Sequence, residues 1–178
     1  MYASLPPGLT EDLLRASGVT AYGIIAPSSI EFSDEVRRLC EENRCGNYAR
    51  TWACPPAVGT LDDCRARILS HAHALVFSTA YPLEDSFDWE GMTRGHRAFK
   101  QVCDDLHRHL HAPALLLSNE GCLRCAACAY PDPCRFPDRL FPSLEGYGIL
   151  VNKLAESAGV PYLNGPLTVT YFGLLCTN

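Results

Sequence analysis

Four short apolar segments, separated by helix-like stretches, constrain the fold of this chain most strongly. They are AYGIIAP (21–27), ALVFSTAY (74–81), APALLLS (112–118) and LTVTYFGLLC (167–176). Their length and apolar content are typical of buried strands. Because strands and helices alternate along the chain, the sequence predicts an α/β domain in which helices flank a sheet.

Five segments carry helix signals. Thr10, Ser33 and Thr60 are each followed by acidic residues, the pattern of an N-cap and a first turn that suits the helix dipole. We expect helices at about 10–17, 33–42, 60–70, 93–110 and 143–159. The prediction is a single layered domain over residues 1–178, with about four strands, flanking helices and two long cysteine-bearing loops.

The N-terminus lacks the basic start and the long apolar segment of a signal peptide. No apolar run approaches the roughly 18 residues that span a bilayer. We therefore expect a cytoplasmic protein without a membrane partner, whose ten cysteines are reduced. Metal binding or redox chemistry explains so many cysteines better than a disulfide framework does. The net charge of −5 provides no basic footprint for nucleic acid.

The ten cysteines separate into two groups. Four fall in apolar stripes of predicted elements and are expected in the core, where free cysteine behaves as a small hydrophobic residue: Cys40, Cys64, Cys103 and Cys176. The other six lie in two irregular loops, loop 1 (43–56) and loop 2 (119–142), where no packing pattern explains them: Cys45, Cys54, Cys122, Cys125, Cys128 and Cys134.

Loop 2 contains the run GCLRCAACAYPDPCRFP. Cys122, Cys125 and Cys128 have the spacing C-x-x-C-x-x-C, which can present each thiolate to a different iron of a cubane. Cys134 follows after a longer gap than in the bacterial ferredoxin run C-x-x-C-x-x-C-x-x-x-C-P, so it closes the same cluster or serves another site. A zinc site and four reduced thiols without metal are the alternatives.

Loop 1, NRCGNYARTWACPP, contributes Cys45 and Cys54. Two thiolates alone make an incomplete tetrahedral site. They can complete a site with Cys134, join a second cluster with Cys40 or Cys64, or form a reversible disulfide. Metal ligation, redox or sulfur-transfer chemistry, and a purely structural role therefore all remain open for this loop.

Both loops are basic although the chain is acidic. Together they hold five arginines and three acidic residues, a net charge of +2 against −5 for the whole chain. A thiolate-ligated cluster is an anion in a partly dry pocket, and arginine donors lower the cost of burying it. Arg124 and Arg135, which adjoin the cysteines of loop 2, are the predicted donors around the cluster.

Four motifs occur in order: CGNYARTWACPP (45–56), GCLRCAACAYPDPCRFP (121–137), PSLEGYGI (142–149) and VTYFGLL (169–175). Together they resemble a cysteine-rich prokaryotic family of domains of unknown function, labelled predicted metal-binding proteins. The resemblance spans about residues 35–175, and in the first motif Ala49 stands where a glycine is expected. It implies binding of iron and sulfur, but no reaction, at Cys45, Cys54, Cys122, Cys125, Cys128 and Cys134.

We therefore expect an iron–sulfur protein with a 4Fe-4S cluster between the two loops. It would transfer single electrons or act as a redox accessory to a partner enzyme. Two alternatives stay open: a zinc-stabilised interaction module, and a thiol redox or sulfur-transfer enzyme that depends on Cys45 or Cys54. The sequence indicates neither the substrate nor the oligomeric state.

Overall fold

The four predicted strands form one antiparallel sheet. The computed structural model describes residues 4–178 and contains β1 (Ala21–Ile25), β2 (His73–Pro82), β3 (Leu115–Ser118) and β4 (Thr168–Thr177). The strand order is β1-β2-β4-β3, with every neighbouring pair antiparallel. β2 and β4 pair along their whole length, from His73 with Thr177 to Pro82 with Thr168, and form the centre of the sheet.

The helices are α1 (Glu11–Ala16), α2 (Asp34–Glu41), α3 (Leu61–Leu69), α4 (Trp89–Arg108) and α5 (Val151–Ser157). The predicted caps are present, because the side chains of Thr10, Ser33 and Thr60 each accept a hydrogen bond from the amide three residues on. α4 begins earlier than predicted because Asp88 caps it, accepting from the amide of Gly91 at 2.7 Å. Among the described residues, no helix is long and apolar enough to cross a membrane.

Helices cover both faces of the sheet. Val76 of β2 packs in one core with Ile68 of α3 and Leu154 of α5. Phe77, the next residue of β2, packs in the opposite core against Phe99 of α4, with ring centroids 5.8 Å apart. Successive strand side chains point to opposite faces, and β2 is buried on both faces from Ala74 to Thr79, which explains its apolar run Ala74–Phe77. The predicted α/β class is confirmed.

The helix predicted at 143–159 is wrong over its first half. Glu145–Tyr147 is a single 3-10 turn, Gly148 follows with φ +74°, and α5 begins only at Val151. A left-handed residue of this kind ends a helix, so the chain turns instead of continuing. We call residues 143–148 the 143–148 turn; it lies against loop 1, since the amide of Ser143 donates to the carbonyl of Ala53 at 2.8 Å.

Three of the four cysteines assigned to the core are fully buried, namely Cys64, Cys103 and Cys176. The assignment of Cys40 to the core is wrong. α2 buries none of its residues, Leu39 is 48% exposed, and Cys40 is only partly buried. The apolar stripe of α2 therefore does not face the sheet, and Cys40, in its last turn, lies beside loop 1 instead.

Candidate metal centre

Loops 1 and 2 lie against each other. Trp52 of loop 1 donates from Nε1 to the carbonyl of Asp132 at 2.9 Å, and its ring meets that of Tyr130 edge-on at 5.2 Å. At Gly121 an added Cβ would lie 3.0 Å from Nδ2 of Asn47, so the side chain of this loop 1 residue packs directly against the backbone of loop 2. The predicted neighbourhood of the two cysteine loops is therefore present.

The four cysteines of loop 2 line a single cavity of about 20 Å³. All four are free thiols and partly buried. Burial raises the pKa of the Cys122 thiol, so a bound cation is needed to favour its thiolate at neutral pH. The rest of the wall is two arginines and mainly apolar side chains: Arg124, Arg135, Ala129, Phe136 and Leu140.

Asp104, a buried carboxylate on α4, forms ion pairs with two arginines of loop 2. Arg124 donates from both terminal nitrogens to Asp104 at 2.6 Å, and Arg139 donates at 2.9 Å. Asp104 is only 4% exposed. Burial tends to raise the pKa of Asp104, but the hydrogen bonds from the two arginines outweigh it, and the pKa lies below its usual value.

The two arginines predicted to surround a cluster differ in what they contact. Nη1 of Arg135 donates to the carbonyl of Ala127 at 3.1 Å, inside loop 2. Nε of Arg124 is buried without a hydrogen-bond partner among residues 4–178. A buried donor of this kind is costly unless a ligand satisfies it. The donor set thus fits a thiolate-ligated anionic group, with four thiols and one unsatisfied guanidinium N–H.

Cys45 and Cys54 lie in a different cavity, which they share with Cys40. This cavity is about 420 Å³ in volume, and its lining contains no arginine or lysine. Cys45 is exposed, whereas Cys54 is 7% exposed. The other lining residues are Asn47, Tyr48, Pro55, Glu120, Gly121, Ser143 and Glu145. The sequence signal for Cys40 is its spacing of five positions from Cys45, which the apolar stripe of α2 obscures.

The sulfurs of Cys40 and Cys54 contact residues of the 143–148 turn. Sγ of Cys40 donates to the carbonyl of Glu145 at 3.7 Å, and Sγ of Cys54 lies 3.6 Å from Oγ of Ser143. The same Oγ accepts from the amide of Gly146 at 3.0 Å. Burial raises the pKa of Cys40 to about 11 and also raises the pKa of Cys54, so both are thiols at neutral pH without a bound cation.

The structure thus divides the six predicted ligands between two cavities and adds Cys40 to the second. The two cavities are adjacent along the chain, because Gly121 lines the larger one and Cys122 the smaller one. Within residues 4–178, no three His, Cys, Asp or Glu side chains converge closely enough to hold a single metal ion.

Comparison with known proteins agrees with the resemblance of the four motifs. The sequence profile of the family described as "Predicted metal-binding protein (DUF2284)" matches residues 23–176, which include both loops and all ten cysteines. No curated protein and no solved structure gave a significant match. Because the profile covers most of its length, this chain belongs to the DUF2284 family of predicted metal-binding proteins.

Proposed function

We propose that the protein binds a 4Fe-4S cluster through Cys122, Cys125, Cys128 and Cys134 and transfers single electrons to or from a partner protein. One observation carries the proposal: these four thiols line a single cavity together with two arginines. Membership in a predicted metal-binding family supports a bound metal in general. Thiolates are the ligands that iron–sulfur clusters and zinc prefer.

Spacing and charge favour iron and sulfur. C-x-x-C-x-x-C gives each thiolate access to a different iron, whereas zinc sites are commonly built from separated pairs. A cubane with four thiolates is an anion, and its acceptor atoms would satisfy the buried Nε of Arg124. Asp104 fixes the plane of this guanidinium through two hydrogen bonds, so the direction of Nε is set before any ligand binds.

The surroundings of the cavity suit electron transfer. A bound cluster supplies the one-electron chemistry; the chain supplies its ligands, a hydrogen-bond donor and partial exclusion of water. Leu123 is 45% exposed and Phe136 is 43% exposed, so apolar side chains of loop 2 reach the surface near the thiols. A redox partner that covers this surface would approach the cluster closely and exclude water from it.

Zinc is the second candidate, because the same four thiols line one small cavity of about 20 Å³. No three ligating side chains of residues 4–178 converge on a single ion, so zinc requires the thiols of loop 2 to move together, and a cubane requires loop 2 to open. Four thiolates around zinc leave no open position, which indicates a structural site in an interaction module. The third alternative, thiol chemistry at loop 1, needs a thiol with a depressed pKa, whereas burial raises the pKa of Cys54.

The proposal is tested by comparing Cys125→Ser with Cys103→Ser after anaerobic purification. We expect Cys125→Ser to remove the visible absorption of the cluster while the circular dichroism of the fold persists. Cys103 is fully buried in the core, so Cys103→Ser should lower stability by about 1–3 kcal/mol and keep the colour. The reverse pattern would refute the assignment, and a colourless protein that binds zinc would support the second candidate.

A further inference from the structure

A further cavity lies between α4 and loop 2, beside the candidate metal centre. It is about 160 Å³ in volume, and Cys122 lines both this cavity and the smaller one that contains the four thiols. We call it the basic cavity, because its charged lining consists of one carboxylate and four basic residues: Asp104, Arg97, Lys100, Arg124 and Arg139. The lining therefore has a net charge of +3, in a chain whose net charge is −5.

α4 turns a polar stripe toward the basic cavity. Four of its residues line the cavity at the helical spacing i, i+3, i+4 and i+7, which places them on one face: Arg97, Lys100, Gln101 and Asp104. The apolar stripe of α4, which includes Phe99, lies on another face and packs against the sheet. The polar stripe thus faces loop 2 and takes no part in the core.

Asp104 does not neutralise this lining. Its two oxygens already accept hydrogen bonds from Arg124 and Arg139, so one carboxylate compensates for only one of the two guanidinium charges. Arg139 uses Nε and Nη2 for Asp104, and its Nη1 has no acceptor within residues 4–178. A positive charge and a free donor therefore remain at the attachment point of loop 2.

Lys100 and Arg97 add two further cations that have no carboxylate partner in the described part of the chain. Nζ of Lys100 donates to two neutral oxygens, Oγ of Ser118 and the carbonyl of Asn119, both at 2.7 Å. One of its three N–H groups is left without an acceptor among those residues. Burial lowers the pKa of Lys100, because nearby negative charge does not offset its lost hydration. The attachment of loop 2 explains neither cation.

We propose that the basic cavity binds one small oxyanion with two negative charges, of the phosphate or sulfate type, next to the thiols of loop 2. Guanidinium and ammonium groups are the donors that proteins use for such anions. A volume of about 160 Å³ is close to that of a cavity that holds benzene, so it admits a free ion or a small ester but no nucleotide. The proposal does not depend on which metal loop 2 binds.

Isothermal titration calorimetry with inorganic phosphate tests the proposal, in the unmodified protein purified without oxygen. At about pH 8, where phosphate is a dianion, we expect saturable binding of one ion per chain. Sulfate should compete for the same site, and acetate, with a single charge, should bind at least about tenfold more weakly. Heats equal to those of sodium chloride at the same ionic strength would overturn the proposal.

Glycerol phosphate identifies the source of the anion. Binding tighter than that of free phosphate would assign the basic cavity to a phosphate ester, and weaker binding would assign it to the free ion. Both results support an oxyanion site, whereas binding that sulfate and phosphate do not displace would contradict it.

Arg97→Gln is a variant whose folding is not in question, because Arg97 is exposed and forms no ion pair within residues 4–178. Loss of one charge-assisted hydrogen bond should weaken phosphate binding about tenfold. Arg94→Gln is the matched control, since Arg94 lies on the same helix, is 62% exposed and does not line the cavity. It removes the same charge but should change the affinity less than about twofold, because salt screens exposed charges. Equal effects of the two substitutions would contradict binding at the basic cavity.

Cys125→Ser separates this proposal from the proposed electron carrier. Cys125 lines the thiol cavity but not the basic cavity, so the variant should lose its metal and still bind phosphate. Binding should be at least as tight as before, because a negatively charged cluster no longer repels the anion. Binding by this variant alone would overturn the proposal, since the basic residues would then only offset the charge of the cluster. A colourless unmodified protein that binds phosphate would support the oxyanion site and refute the electron carrier.

Discussion

Asp104→Asn should release loop 2 from the domain. The substitution keeps the size of the side chain but removes the charge that Arg124 and Arg139 share. In the folded protein Asp104 is 4% exposed and accepts two hydrogen bonds of 2.6 Å from Arg124. Removing one partner of a buried ion pair typically costs 3–5 kcal/mol, because the remaining charge is left uncompensated.

The exposure of Arg139 places the expected cost of Asp104→Asn at the lower end of this range. The Arg139 side chain is 51% exposed and can turn toward water, whereas the Arg124 side chain is 18% exposed and cannot. Because chiefly the charge of Arg124 would be left buried and unpaired, we expect the free energy of unfolding to fall by about 3 kcal/mol. For a chain of this size, a loss of this magnitude lowers Tm by about 6–12 °C.

Thermal and denaturant unfolding followed by circular dichroism provide the assay, with Asp105→Asn as the control. Asp105 is the neighbouring residue and pairs with Arg108, whose side chain is 65% exposed. A surface pair of this kind contributes little, so Asp105→Asn should change the stability by less than about 0.5 kcal/mol. A loss below about 1 kcal/mol for Asp104→Asn, or equal losses for both variants, would refute the reasoning.

The same carboxylate predicts a dependence on pH. The folded-state pKa of Asp104 lies below its value in the unfolded chain, so its contribution is complete above about pH 4 and is lost as the pH falls through the folded-state pKa. Asp104→Asn should therefore weaken the loss of stability in acid.

Three further substitutions test single features of the two loops. Ala49 has φ +53°, so Ala49→Gly should relieve strain and raise Tm by a few degrees at most, about 1 kcal/mol. In Gly146→Ala the new Cβ would lie 2.4 Å from Oγ of Ser143, so displacement of this hydroxyl should cost about 1–3 kcal/mol in unfolding experiments. Trp52→Ala should speed amide exchange in loop 2, because the edge contact with Tyr130 at 5.2 Å is lost, and Trp52→Phe should give an intermediate rate.

Much of the fold could be predicted because its signals are local. The caps at Thr10, Ser33 and Thr60 and the apolar strands depend on neighbouring residues only, and they place most elements within a few positions. The strand order depends on contacts between distant segments, which a single sequence does not reveal. Gly148 shows the limit of local patterns, since its left-handed conformation interrupts the segment 143–159 that was predicted as one continuous helix.

The cysteine groups were partly predictable for the same reason. C-x-x-C-x-x-C brings Cys122, Cys125 and Cys128 together through the local backbone alone, and the structure places Cys134 with them. Cys40 was misassigned because an apolar helical stripe predicts a buried face without showing whether anything packs against it. The second cavity depends on the 143–148 turn, which contacts loop 1 across a long stretch of sequence.

The conformation at Ala49 gives a physical reason for one feature of the motif. A glycine was expected at this position, and the structure shows that the backbone there has a positive φ. Glycine adopts this conformation without steric cost, whereas alanine adopts it with strain. In this conformation the amide of Ala49 donates to the carbonyl of Pro55 at 2.8 Å, a hydrogen bond that joins the middle of loop 1 to its end.

The central claim is that the thiols of this protein bind an iron–sulfur cluster. It is tested most directly by measuring iron, acid-labile sulfide and zinc in the unmodified protein purified without oxygen. We predict iron and sulfide in equal amounts, at least about four of each per chain, with no stoichiometric zinc. Zinc without sulfide, or a folded protein that binds no metal, would contradict the claim.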